Sequence, residues 1–326
     1  MRRQGLILGI ILLAVITVIP TLIVIPFAEA ATENEHISID ESTEYVSASG
    51  ENSDIMVEVL REATDQIESV PLEDYVALVV ASEIPADFEM EALKAQALAA
   101  RTYIVQRILH DDPEQEHHVT DTVEHQVFQS EDELREVWGV DYSGNMNKID
   151  QAVQETAGEV ITYDGSPITA AFFSTSNGYT ENAEDYWQNE IPYLRSVSSP
   201  WDEQSPVYRD QEIFTYQEVL QQLGLEGNSF EVTNTTRTES NRIQEITVNG
   251  ETFSGREIRE KLDLRSNDFT IEAKADHIIF KTNGFGHGVG MSQYGANGMA
   301  QSGNTYHDIV KHYYQGVEIE TLEHVL

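Results

Sequence analysis

The chain has 326 residues, no cysteine, and 57 Asp and Glu against 19 Lys and Arg, for a formal net charge of −38. That field repels nucleic acid and other polyanions, and the missing thiols exclude disulfides, thiolate zinc sites and cysteine nucleophiles. Apolar residues at 40% suffice for one large domain or two small ones, and no repeat of solenoid or propeller period is visible.

Arg2 and Arg3 precede an uncharged apolar run from Leu6 to Phe27. As a helix this run spans roughly 33 Å, about one hydrocarbon core, and the arginines put the amino terminus inside and the rest outside. Ala28-Glu29-Ala30 has the form of a signal cleavage site. The run exceeds the roughly 7 to 15 residues of a signal h-region, however, so the anchor reading is preferred to a cleaved leader. Residues 1–31 are therefore expected to be a membrane anchor, and both readings place the remainder outside the cytoplasm. Residues 32–54 are polar and acidic and read as a flexible linker, leaving 55–326 for the folded domain.

Leu72, Tyr75, Val76, Val79 and Val80 recur at helical spacing and predict one apolar face, which Glu83 extends. Ile84 ahead of Pro85 ends that helix, because the residue before proline avoids the α region. The pattern sets a carboxylate at a helix C-terminus among apolar neighbours, where burial and the negative helix end both disfavour the charged form. A carboxylic acid held protonated near neutral pH is what glycosidic cleavage requires. A structural ion pair is the other reading of the same glutamate.

A second helix is expected from a cap at Asp87, through Glu89 and Glu91, to about Leu109. With Arg101 at 0° and 100° per residue, Met90, Leu93, Ala97, Ile104 and Ile108 fall between about −80° and −20°, Lys94 near about +20° and Val105 near about +40°. Arg101 and Lys94 thus sit within an apolar stripe and need partners. Glu83 is the nearest acidic candidate by sequence, and an anionic substrate group is the other. The bland alternatives are a structural salt bridge for Arg101 and a snorkelling Lys94. Ala95, Ala97, Ala99 and Ala100 predict close packing on several sides, so this helix is expected at the centre of the fold.

Six segments carry a resemblance. They are Pro71-Leu72-Glu73-Asp74-Tyr75-Val76, Ala81-Ser82-Glu83-Ile84-Pro85, the run from Glu91 through Ala99-Ala100-Arg101-Thr102-Tyr103, the run from Phe173 through Ser176-Asn177-Gly178 to Asn182, the stretch Phe253 to Ser266, and Gly286-His287-Gly288-Val289-Gly290-Met291-Ser292-Gln293-Tyr294-Gly295-Ala296. Their order and content resemble the SpoIID/LytB family over about residues 55 to 320. The resemblance implies a lytic transglycosylase that cleaves peptide-stripped glycan strands of peptidoglycan during sporulation engulfment. It implies Glu83 as catalytic residue and Arg101 as a functional position. It further implies a sporulation amidase of the SpoIIP type and a membrane partner of the SpoIIM type, at the septal membrane and with no cofactor. A non-catalytic wall-binding protein that stimulates an amidase is the alternative. Some relatives bind zinc through a cysteine pair. The matching stretch here has no cysteine, and His117, His118, Asp121 and His125 are the residual donors, so no metal is expected.

The glycines at 284, 286, 288, 290, 295 and 298 fit no dinucleotide or phosphate-loop spacing. They let backbone amides approach a sugar closely, with His287, Gln293 and Tyr294 as hydrogen-bonding candidates; a tight structural loop is the alternative. Ser174, Ser176 and Asn177 follow a strand-like Ile168 to Phe173 and offer either glycan contacts or a turn cap. They form no nucleophile elbow. Lys94 completes the expected substrate-binding set. Residues 200 to 275 are polar and strand-rich, with helices near Tyr216 to Leu223 and Gly255 to Leu262. The expected fold is α+β: a central Ala-rich helix packed with mixed strands, and a second, smaller lobe inserted before the glycine-rich block.

Overall fold

The structure is a computed structural model that describes residues 55–110, 115–227 and 229–325. The expected anchor and acidic linker lie outside the described residues. Among the described residues no helix is long and apolar enough to cross a membrane.

The chain enters through a hairpin, β1 (Met56–Arg61) against β2 (Gln66–Pro71), which leads directly into α1 (Leu72–Glu83) and, after a short turn, α2 (Met90–Leu109). Ile84 adopts extended backbone at φ −131°, so α1 stops where Pro85 requires. The start of α2 differs from expectation. Glu89, not Asp87, occupies the cap position with no side-chain cap, and the Glu89 N–H is satisfied instead by Asn297 Oδ1 at 2.8 Å. Tertiary packing therefore fixes the start of α2 without a local side-chain cap.

β3 (Val119–Thr120) joins β1 in parallel, and α3 (Glu131–Trp138) and α4 (Tyr142–Gln154) follow. β4 (Glu159–Tyr163), β5 (Ser166–Pro167) and β6 (Phe172–Phe173) come next. The expected strand over Ile168 to Phe173 shortens to its last two residues, because the Ala171 N–H turns back onto the Thr169 carbonyl at 2.9 Å. A short α5 (Ala183–Trp187) leads on to β7 (Arg209–Thr215), α6 (Tyr216–Leu223), β8 (Val232–Arg237), β9 (Ile243–Val248), β10 (Glu251–Ser254), α7 (Gly255–Lys261), β11 (Phe269–Ala273) and β12 (His277–Asn283). β13 (Met291–Ser292), α8 (Gln293–Gln301), α9 (Tyr306–Tyr313) and β14 (Glu318–Thr321) close the chain.

The class is α+β, with small sheets ordered β2-β1-β3, β10-β9-β8, β11-β12-β7, β13-β6 and β14-β4-β5. Helix α2 is the hub: α1, α4, α8, α9 and β4 all pack on it. Leu93, Ala95, Ala97, Leu98, Ala99 and Ala100 are fully buried, so contact comes from nearly every side, and the small alanines allow that closeness. Strands β7 to β12 pair only among themselves, and Val219, Ile246, Val248, Ile258, Ile278 and Phe280 gather in their own hydrophobic cluster. The parallel pair β6–β13, in register Phe172↔Met291 and Phe173↔Ser292, carries the glycine-rich segment back to the helical core.

Candidate active site

Glu83 is the last residue of α1 and is half-buried. Its Oε1 accepts the Val127 N–H at 2.7 Å. Burial is the main influence and raises the carboxyl above the ordinary glutamate range, and the Val127 N–H opposes it. No Lys, Arg or His pairs with Glu83 among the described residues. A cationic partner would pull that carboxyl back down, and none offsets the effect of burial here.

A strap from Gln126 to Gln129 runs along the helix and reaches this end. The Gln129 N–H donates to Ser82 Oγ at 3.0 Å, the Tyr75 hydroxyl donates to Gln126 Oε1 at 3.1 Å, and Phe128 stacks on Tyr75 at 5.6 Å. On the other side Gln293 Nε2 donates to the Glu83 carbonyl at 3.1 Å and to Gln96 Oε1 at 3.4 Å. One of the α1 C-terminal carbonyls is thereby satisfied from a residue 210 positions away in sequence. Tyr294 donates its N–H to the Ser174 carbonyl at 3.0 Å and sets its ring edge-on to Phe88 at 4.9 Å, just beyond the Glu83 turn. Gln293, Tyr294 and the Ser174 backbone are thus brought to the Glu83 end.

The remaining expected site residues go elsewhere. Arg101 does not meet Glu83. It is fully buried, its Nε and Nη2 fork onto the Glu73 carboxylate at 2.6 to 3.1 Å, and its remaining hydrogens reach the Glu159 and Val153 carbonyls. Glu73 lies in the first turn of α1 and Glu83 in the last, so roughly 15 Å of helix separates the two carboxylates. Lys94 bridges Glu91 at 2.9 Å and Glu155 at 2.6 Å over the Tyr306 ring.

Ser176 is buried and donates through its N–H and Oγ to Asp202 at 2.9 and 2.8 Å. Asp202 also accepts from Ser199 and Ser292, so one carboxylate ties the Ser176 segment and its own segment to the N-terminus of α8. Burial still raises Asp202 above the ordinary range. Asn177 donates to the Ser240 carbonyl and to Asp268. Of the three side chains that sequence offered to a glycan here, Ser176 and Asn177 face protein partners far away in the chain, and Ser174 Oγ lies 3.3 Å from its neighbour Thr175 Oγ1.

His118 Nδ1 accepts the Glu58 N–H, Asp121 takes Arg61, and His125 Nδ1 accepts the Thr120 N–H. Among the described residues no three His, Asp or Glu side chains gather as a metal-ligand set. His287 packs against the Phe173, Tyr186 and Trp187 rings. Its Nδ1 accepts the Val289 N–H at 3.0 Å, while burial, then Arg259, with Arg242 and Arg256 also acting, lowers the imidazole to about 3. Gly286 and Gly288 take positive φ, and a Cβ there would strike the Phe173 and Arg242 side chains at 2.8 and 2.6 Å. The loop needs glycine for that close approach.

The profile of the stage II sporulation protein family (SpoIID) matches residues 61–163, which hold both Glu83 and Arg101. The chain is 48% identical over 322 residues to stage II sporulation protein D of Bacillus subtilis (strain 168), covering 95% of this chain and 93% of that protein. The chain belongs to the SpoIID family. Stage II sporulation protein D of Bacillus amyloliquefaciens is 46% identical, over 97% of this chain and 95% of that one. A more distant relative, the amidase enhancer of Bacillus subtilis (strain 168), is 28% identical over 74% of this chain and 39% of its own length.

Proposed function

We propose that this SpoIID-family chain is a lytic transglycosylase acting on peptide-stripped peptidoglycan glycan strands during sporulation engulfment, with Glu83 as its single acid and base. The observation that carries the reading is a half-buried carboxyl at a helix end, raised above its ordinary range, with no cationic partner among the described residues.

In the first step the Glu83 carboxyl gives its proton to the glycosidic oxygen after a muramic acid ring, and the C1–O bond breaks. The centre at C1 becomes oxocarbenium-like, assisted by the substrate's own acetamido group. In the second step the Glu83 carboxylate takes the proton of the 6-hydroxyl, whose oxygen closes on C1 to leave a 1,6-anhydro end. Protons balance on one residue and no carboxylate nucleophile is required. The Val127 N–H stabilises the carboxylate formed between the two steps, and Gln293 fixes the backbone that presents it. Arg101 acts through α1, because its partner is Glu73.

The apolar run at residues 6–27 would hold the domain on the outer face of the septal membrane, beside an amidase partner. The amidase-enhancer relative supports a second reading, a non-catalytic protein that binds wall and stimulates an amidase. Mass analysis of purified peptide-free glycan decides between them. Cleavage predicts 1,6-anhydro products with wild type and none with Glu83→Gln. Strands of unchanged length with both proteins would support the binding protein instead.

A further inference from the structure

The surroundings of His287 hold rings and guanidinium groups that the Glu83 chemistry does not use. Tyr186 and Trp187 end α5, and their rings lie 5.8 and 5.4 Å from the imidazole. Arg256 and Arg259 are three residues apart on α7 and so share a helix face. Arg256 stacks over the Tyr186 ring at 4.9 Å, and Arg259 donates to the Tyr186 hydroxyl at 3.0 Å.

Arg256 has Glu260 as its ion-pair partner. Arg259 donates also to the Arg265 carbonyl at 3.3 Å, yet pairs with no carboxylate among the described residues. That is notable in a chain where acids outnumber bases 57 to 19. Tyr186, Trp187 and Arg259 are each half-buried and keep part of their surface in solvent.

An unpaired guanidinium beside flat ring faces suits a ligand that is itself a ring bearing an anion. The rings pack on the C–H faces of a sugar, and the guanidinium, whose Nε and Nη1 already donate to the Arg265 carbonyl and the Tyr186 hydroxyl, takes a carboxylate through a charge-assisted hydrogen bond from Nη2. We propose that Arg259, with Arg256, Tyr186 and Trp187, forms a subsite that reads the free lactyl carboxylate of an N-acetylmuramic acid residue. This rests on the glycan-strand reading above and names the residues that select the strand. On peptide-bearing glycan that carboxyl is tied up as an amide and carries no charge. An amidase must act first to release the anion, so the two arginines distinguish stripped from unstripped strands.

Calorimetry on the full chain carrying Glu83→Gln tests this without turnover. The probes are two synthetic GlcNAc–MurNAc oligomers that differ only in the lactyl group, free acid in one and methylamide in the other. The free acid is expected to bind about tenfold tighter, the worth of one charge-assisted hydrogen bond. Adding Arg259→Gln should close that gap to about twofold while the amide oligomer binds as before, which also shows that the variant is folded. Adding Trp187→Ala should weaken both oligomers together. Equal affinity for the two oligomers, or an unchanged preference in Arg259→Gln, overturns the subsite. Failure of wild type to cleave glycan, with the preference intact, would instead overturn only the transglycosylase reading.

Discussion

The two ends of α1 carry the same side chain in opposite circumstances. Glu73, in the first turn, is 5% exposed, gripped by the Arg101 fork and by the Gly158 N–H at 3.2 Å. Glu83, in the last turn, accepts one backbone N–H and meets no cation among the described residues. The helix dipole adds to the contrast, since it favours a carboxylate at the N-terminus and disfavours one at the C-terminus. Burial alone does not make an acid. The partner decides whether a buried carboxyl serves as structure or as a proton source.

The sharpest way to break the comparison is to remove the cation at the structural end. Arg101→Ala leaves Glu73 buried and uncompensated, and the expected loss is about 3–5 kcal/mol, read from the denaturant midpoint. Arg101→Met combined with Glu73→Leu should recover most of that loss and retain cleavage per folded molecule. A stable double variant without activity would mean that Arg101 does more than hold α1.

At the other end the sign reverses. The Glu83 pKa is raised on folding, so the native state binds the extra proton and stability falls as pH rises through that range. Glu83→Gln should therefore melt higher than wild type at pH 7, with the difference vanishing below the ordinary glutamate range. His287 shows the opposite linkage. Its folded pKa is lowered to about 3, so its contribution is present above the ordinary histidine range and is lost as pH falls toward that value. His287→Gln should flatten acid destabilisation in that window, followed by melting temperature against pH. The smallest effect belongs to Lys94→Met, because its partners Glu91 and Glu155 are open to solvent and their pairs with it are screened; the denaturant midpoint should barely move.

Much of this contrast is local and so legible in sequence. Helical spacing placed α1 and its end at Ile84-Pro85, the alanines marked α2 as central, and Glu83 fell on an apolar face at a helix end. Partners separated widely in sequence were not legible. Arg101 is 28 residues from Glu73, and nothing in periodicity chooses that glutamate over Glu83. The Val127 donor is a backbone group and leaves no side-chain signature. Ser176 and Asn177 read as glycan contacts or a turn cap, yet Asp202 and Asp268 bind them from other segments. The Tyr186–Arg259 contact joins α5 to α7 across 73 residues, and the family blocks that contain or flank these residues do not say that they meet.

The central claim is that Glu83 is an unpaired, proton-bearing acid. Site-resolved NMR titration of its side-chain carboxyl, in the carbon-13-labelled chain, tests that directly. The account predicts a midpoint above the ordinary value of 4.5, with loss of cleavage rate at higher pH following the same curve. A midpoint at or below 4.5 would contradict it.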